Sequence, residues 1–231
     1  MNPIRIIFLG GFVLFAAGCA TTNTVSQLDN LTSERQDPTV LLMPPDVKYY
    51  LWTAGGVKEP HADWTAAARR NFRDAVMAYA AEHAVDVVAL DPAAASDPTI
   101  QRYEKLHRAV GSTIQINHFG TAKLPTKAGE FDWGLGPGVS EIGRAYGADY
   151  ALFSFYRDYQ ASGGRIAFAV LAAAAGVGVP ATAEFGFASL VDLRTGDVVW
   201  FNKVDVGAGE LREREGARTV VDGLFRDMPE G

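Results

Sequence analysis

The sequence predicts a single α/β domain: a mixed β-sheet carrying packed helices and a C-terminal antiparallel hairpin. Three observations predict it. Apolar runs of strand length alternate with stretches of helical period, in the order strand, helix, strand, helix, then strand, hairpin, helix. The chain has 231 residues, 48% of them hydrophobic and 21% charged, which suits one sizeable core and is short for two. No internal repeat and no low-complexity tract interrupts the pattern.

The chain opens "MNPIRIIFLGGFVLFAAGCATT", with one positive charge at Arg5, an apolar run over 6–17 and small residues up to Cys19. That is the layout of a signal peptide, and the run is too short for a stable spanning helix. Ala16-Ala17-Gly18-Cys19 resembles a bacterial lipobox, with Ala16 where leucine is usual. The resemblance implies a leader over residues 1–18 and a mature N-terminus lipidated at Cys19. A lone thiol in an oxidising compartment otherwise lacks a partner. Ala20 follows where aspartate is associated with inner-membrane retention, which implies the outer membrane, facing the periplasm. Residues 19–38 are polar and aperiodic, and read as a flexible tether, so the domain is expected over 39–231.

Within it, residues 39–47 form an apolar run ended by Pro44-Pro45, and the aromatic-rich stretch 48–56 reads as a second, more exposed strand. Asp63 is placed to cap a helix whose Trp64, Ala68, Phe72, Ala75, Val76 and Tyr79 share one face. Residues 85–90 are a β-branched strand stopped by Asp91-Pro92, and Asp97-Pro98 opens a second helix reaching about Ala109. Residues 111–138 read as one strand and a glycine- and proline-studded loop. A helix over 139–146 leads through Gly147 into an aromatic strand at 148–159. Strands at 183–193 and 198–206 form the hairpin, with Thr195-Gly196 at its tip. Ala217, Val220, Val221, Leu224, Phe225 and Met228 line a final helix that covers one sheet face.

The net charge of −6 and the lack of basic runs among aromatics argue against nucleic acid as a partner. There is no G-x-S-x-G, H-E-x-x-H or P-loop, and His61, His83, His107 and His118 lack ligand spacing. Asp46, Glu59 and Asp63 lie close in sequence, where capping and solvation compete with acid–base work as an explanation. Gly176, Gly178 and Ala181 fit G-x-G-x-x-A only formally, because a strand rather than a helix follows. The glycines of 133–143 either turn the chain or present N–H groups to an anion. No cofactor or metal is expected, and the chain is expected not to be an enzyme. Tyr49, Tyr50, Trp52 and Trp133 are candidate partner-binding anchors if they gather on the surface, and core residues if they do not.

The hairpin "SLVDLRTGDVVWFN", with "LLMPPDV" and "DWTAAARRNF" upstream, resembles bacterial envelope lipoproteins of the curli-secretion and penicillin-binding-protein-activator type. These share the fold of the N-terminal domain of the Tol-Pal translocation protein. The recurring D-x-x-T-G-x-x-x-W pattern falls here on Asp192, Thr195, Gly196 and Trp200. The resemblance implies a non-enzymatic assembly factor or regulator that binds other envelope proteins, with a homo-oligomer open. Alternatives are an oligomeric outer-membrane secretion channel and a hydrolase acting on cell-wall material.

Residues 166–179, "IAFAVLAAAAGVGV", carry no charged or strongly polar side chain. As a helix they are too short to span a bilayer, and they lack the polar alternation of a membrane strand. Bracketing glycines predict a short helix packed on the sheet or on another subunit, with any exposed apolar face marking an interface.

Overall fold

The computed structural model describes residues 23–33, 35–127, 129–204, 207 and 209–231. The expected leader over 1–18 and the expected lipidation site Cys19 lie outside the described residues. The spine of the sheet is β6 (Tyr150–Ala161), whose N-terminal part pairs in parallel with β2 (Val40–Leu42), Val40 opposite Tyr150. Its C-terminal part pairs in parallel with β3 (Asp46–Trp52), from Asp46 opposite Phe155 to Trp52 opposite Ala161. Met43, Pro44 and Pro45 separate these two strands. The prolines offer no ladder N–H, so one extended run becomes two strands lying end to end. The break therefore falls before Asp46, not after Val47 as the apolar pattern suggested. Outside β2 lies β5 (Val87–Ala89), parallel to it, and β4 (Lys58–Pro60) pairs antiparallel with β3.

On the other side of β6 come β7 (Ala183–Asp192) and β8 (Val198–Val204), both antiparallel to their neighbours, as the hairpin pattern predicts. The sheet ends on β1 (Asn23–Ser26), with Asn23 opposite Lys203 and Ser26 opposite Trp200. This corrects the tether expected over 19–38. Leu31 is buried in the core, its N–H donating to Glu230 O at 2.8 Å, and Arg35 binds Asp192 through both carboxylate oxygens at 2.9 Å. A polar strand of four residues has no apolar period to reveal it; its stability comes from β8's free edge.

Side chains alternate between two faces. Tyr150, Leu152, Tyr156, Leu190 and Trp200 face α1 (Ala62–Glu82) and α5 (Arg214–Leu224). Ala151, Phe153, Phe155, Phe187 and Phe201 face α2 (Pro98–Ile114) and α3 (Ser140–Tyr146). Buried Asn202 donates to Gly223 O and Leu224 O, satisfying carbonyls at the end of α5. The cap of α1 is His61, whose Nδ1 accepts from Trp64 N at 3.4 Å, and Asp63 sits in the first turn instead. Asp97 and Pro98 open α2 as expected. That helix then runs through Gly111 and continues as a wider turn over Gln115–Phe119, where a strand was expected. Gly111 is not a breaker here. A Cβ on it would stand 2.0 Å from the Phe187 ring, so the glycine lets the helix cross the sheet closely.

The hairpin residues act locally. Asp192 accepts from the N–H groups of Arg194 at 2.6 Å and Thr195 at 3.3 Å. Thr195 Oγ1 accepts from Asp197 N, and Gly196 takes φ +85° with a would-be Cβ 2.1 Å from Gly136 O. Trp200 is fully buried, edge-on to Phe225.

Between β6 and β7 rises α4 (Gly163–Ala174), capped by Ser162. The helix was expected, but its packing was not. Ile166, Phe168, Val170 and Leu171 are between 48% and 71% exposed, and only Arg165 is buried. The reason is positional: β6 ends at Ala161 and β7 begins at Ala183, so the helix stands past the rim with no sheet beneath it.

Candidate functional site

Two regions combine unusual surface chemistry with ordered side chains. The first is the rim at the base of α4. The register of β3 on β6 sets Tyr50 beside Tyr159, with rings stacked 4.9 Å apart, and Trp52 meets Tyr159 edge-on at 6.3 Å. Two cations lie on these rings. Lys58 Nζ is 4.3 Å from the Tyr159 ring centre and 5.1 Å from that of Trp52, and the Arg165 guanidinium is 3.5 Å from Trp52. Arg165 also donates from Nε and Nη2 to Pro180 O, tying the start of α4 to the loop that returns to β7. Above this collar stand the exposed apolar side chains of α4 and Val177.

The second region is a crevice where β2 gives way to β3. Asp46 receives Arg157 Nη2 at 2.8 Å and Arg108 Nη1 at 3.5 Å. Around it, Lys48, Arg69, Glu104 and Lys105 line a cavity of about 250 Å³. Burial, and then the Asp46 carboxylate, push the Glu104 carboxyl up to about 7. An adjoining apolar groove of about 240 Å³ runs along Met43, Pro44, Pro45 and Leu90, with Arg69, Arg70 and Arg73 beside it. It opens where the parallel strands β2 and β5 end, the usual place for ligands in α/β sheets.

The four aromatics singled out from sequence do not form one patch. Tyr49 is fully buried: its hydroxyl donates to Glu210 Oε1 at 3.0 Å and accepts from Leu211 N at 3.1 Å. Burial, then the nearby Asp158 and Glu210 charges, raise its pKa far above the ordinary tyrosine range. Tyr50 and Trp52 do come together, at the rim. Trp133 lies at the opposite end of the sheet, where Gly134 bridges to Asp197 and Trp133 O accepts from Val198 N. Alternation along β3 would have separated Tyr49 from Tyr50; nothing in the local pattern marked Tyr159, Lys58 or Arg165 as their companions.

The other candidates disperse. His107 is enclosed against Phe153 and Phe187, bonds Ser189 Oγ at 2.9 Å and is pushed down to about 3 by burial, so it is a neutral core histidine. His61 and His83 flank α1. Asp46 and Glu59 sit at different levels of β3 and β4, joined by no common site. Gly176 and Gly178 belong to the exposed return from α4, without the strand and helix a dinucleotide loop requires. Among the described residues, no group of three or more His, Cys, Asp or Glu is placed to hold a metal ion.

No family model and no curated protein matches the chain. Among solved structures it is similar to the PelC dodecamer from Paraburkholderia phytofirmans at 13% identity and TM-score 0.36, covering 89% of this chain and 96% of that one. A second PelC dodecamer structure from that organism matches at 13% identity and TM-score 0.36, with 88% and 98% covered. A lipoprotein from Neisseria meningitidis matches at 13% identity and TM-score 0.32, with 72% and 79% covered. Likeness this distant leaves the functional reading to the residues themselves.

Proposed function

We propose that the chain is a lipid-anchored envelope protein of the outer membrane, facing the periplasm, that works without catalysis through contacts with other envelope proteins. The observation that carries the reading is the run Ala16-Ala17-Gly18-Cys19 standing four positions ahead of a strand locked into the sheet. A lipid on Cys19 would hold the domain against a bilayer, within reach of membrane-bound assemblies. The groove beside Arg69, Arg70 and Arg73 supports the partner-binding half of the reading, because it offers an apolar floor with positive charge for an acidic apolar segment. Neither region has the nucleophile, base and orienting group that a hydrolase would gather. The channel alternative gains nothing from residues 163–174, which form a helix rather than a strand of alternating polarity.

The test joins fractionation with crosslinking in intact cells. Wild-type protein should stay with outer membranes through carbonate extraction, Cys19→Ala should be released by it, and crosslinking should recover an envelope protein that Arg70→Glu with Arg73→Glu loses. Retention of the Cys19→Ala protein through carbonate extraction as in wild type, or recovery of no partner, would overturn the reading.

A further inference from the structure

We propose that α4 is a second membrane contact, embedded in the outer layer of the same leaflet that holds the lipid on Cys19. The inference rests on the anchored reading above and adds a surface to it.

Four observations converge. The first is that α4 is apolar all round and exposed nearly all round, with no charged or strongly polar side chain from 166 to 179. A flat protein partner covers one face of a helix, whereas lipid covers every face. Size is the second. Twelve residues make a rod of about 18 Å, too short for a core of about 30 Å but suited to one leaflet. Third, the turn off the helix is paired: Gly176 N donates to Ala173 O, Val177 N to Ala172 O, and Pro180 O accepts from Arg165. Fourth, the base of α4 is ringed by Tyr50, Trp52 and Tyr159 with Lys58 and Arg165, the aromatic and cationic side chains that favour the boundary between water and lipid.

The anchor leaves from the same end. In β1, Asn23 faces Lys203 near the end of β8, so the N-terminal end of β1 lies toward the rim where β6 ends and β7 begins. Phe155, in line with Asn23 across the sheet, is six positions short of Ala161, about 20 Å along β6. The four residues back to Cys19 cover up to about 14 Å of that path. A lipid on Cys19 would thus leave the protein at the same end of the sheet as α4, about 6 Å or more short of the rim.

The test places an environment-sensitive nitrobenzoxadiazole dye on Leu171→Cys in the full-length protein, where acylation leaves the new thiol as the free one. The protein is reconstituted in vesicles of phosphatidylethanolamine and phosphatidylglycerol, with Ala66→Cys on α1 as the control. Emission at 171 should shift to the blue and be quenched by lipids carrying a shallow nitroxide, with no change at 66. In parallel, unlipidated Cys19→Ser protein should bind the same vesicles, and Leu171→Asp should weaken that binding about tenfold or more with its circular dichroism unchanged. A dye at 171 that stays water-exposed, or that shifts only as the protein self-associates without lipid, overturns the inference in favour of solvent or a second copy. The mass of the mature N-terminus reads the anchor separately: unmodified Cys19 with a lipid-shifted dye sinks the anchored reading, and lipidated Cys19 with a water-exposed dye sinks this one.

Discussion

Removing the Asp192 carboxylate tests whether residues before Thr39 belong to the fold. Asp192 has a side chain 4% exposed and Arg35 one 17% exposed, with both oxygens 2.9 Å from Arg35 Nη2. Arg35 also donates to Asp149 O at 3.0 Å and lies 4.6 Å over the Tyr150 ring. Asp192→Ala leaves this half-buried guanidinium only Asp149 as a polar partner and frees two turn N–H groups, so it should cost about 2–4 kcal/mol. Arg35→Ala leaves Asp192 its turn donors and should cost less, about 1.5–3 kcal/mol. Side chains in direct contact should couple by about 1–3 kcal/mol in a double-mutant cycle. Urea unfolding of the four proteins, followed by tryptophan fluorescence, reads all of these values. A coupling below about 0.5 kcal/mol would mean that Arg35 does not hold Asp192 in solution, leaving β1 and Leu31 to tie residues before Thr39 to the fold.

Three further outcomes follow from single positions. Gly111→Ala should destabilise by about 1–3 kcal/mol in thermal unfolding, despite a helix-propensity gain of about 1 kcal/mol, because its Cβ meets the Phe187 ring. Gly196→Ala should destabilise by at least about 1 kcal/mol, since φ +85° and the approach of Gly136 O both oppose a side chain. Burial, then the charge of Glu184, raises Asp158 from 3.8 to about 6. A carboxyl whose folded pKa is raised gives its stability below the unfolded value and loses it as pH rises through the folded one. Asp158's share of the unfolding free energy should therefore climb by about 2–3 kcal/mol as pH falls from about 8 to about 4. Asp158→Asn should flatten that part of the slope in pH-dependent urea titrations.

The two sheet faces were legible because alternation and helical period are properties of single segments. The alternation of Phe185 and Phe187 against Ala188 and Leu190, and the stripe from Ala217 to Leu224, could be assigned without knowing what covered them. What escaped depended on partners distant in sequence. β1 is a strand because β8 offers an edge, and Gly111 is helical because a ring lies across from it. Arg165, Lys58 and Trp52 meet only after a parallel crossover aligns β3 with the end of β6. Residues 166–179 were recognisable as an apolar helix, but whether such a helix is covered is decided by where the neighbouring strands stop.

The position of β1 changes what an anchored domain can do. A flexible tether over 19–38 would have a root-mean-square reach of about 25 Å and leave the domain free to turn. With a lipid on Cys19, as proposed, the four residues to Asn23 would reach at most about 14 Å and would hold one end of the sheet toward the bilayer. Ala161 then lies nearest the lipid, and Tyr150, eleven positions back along β6, lies about 36 Å further out. The Thr195-Gly196 turn and Trp133 share that outer end, since Asp192 pairs with Tyr150 and Asp197 bridges to Gly134. The arginine-flanked groove beside Leu42 and Ala89 opens between the two, because Leu42 pairs with Leu152. A second contact through α4 would fix rotation as well as height, presenting that groove at one level above the membrane. A soluble partner gains little from such an arrangement. A partner fixed in the same membrane gains a raised effective concentration, and only when its own binding segment stands at the matching height.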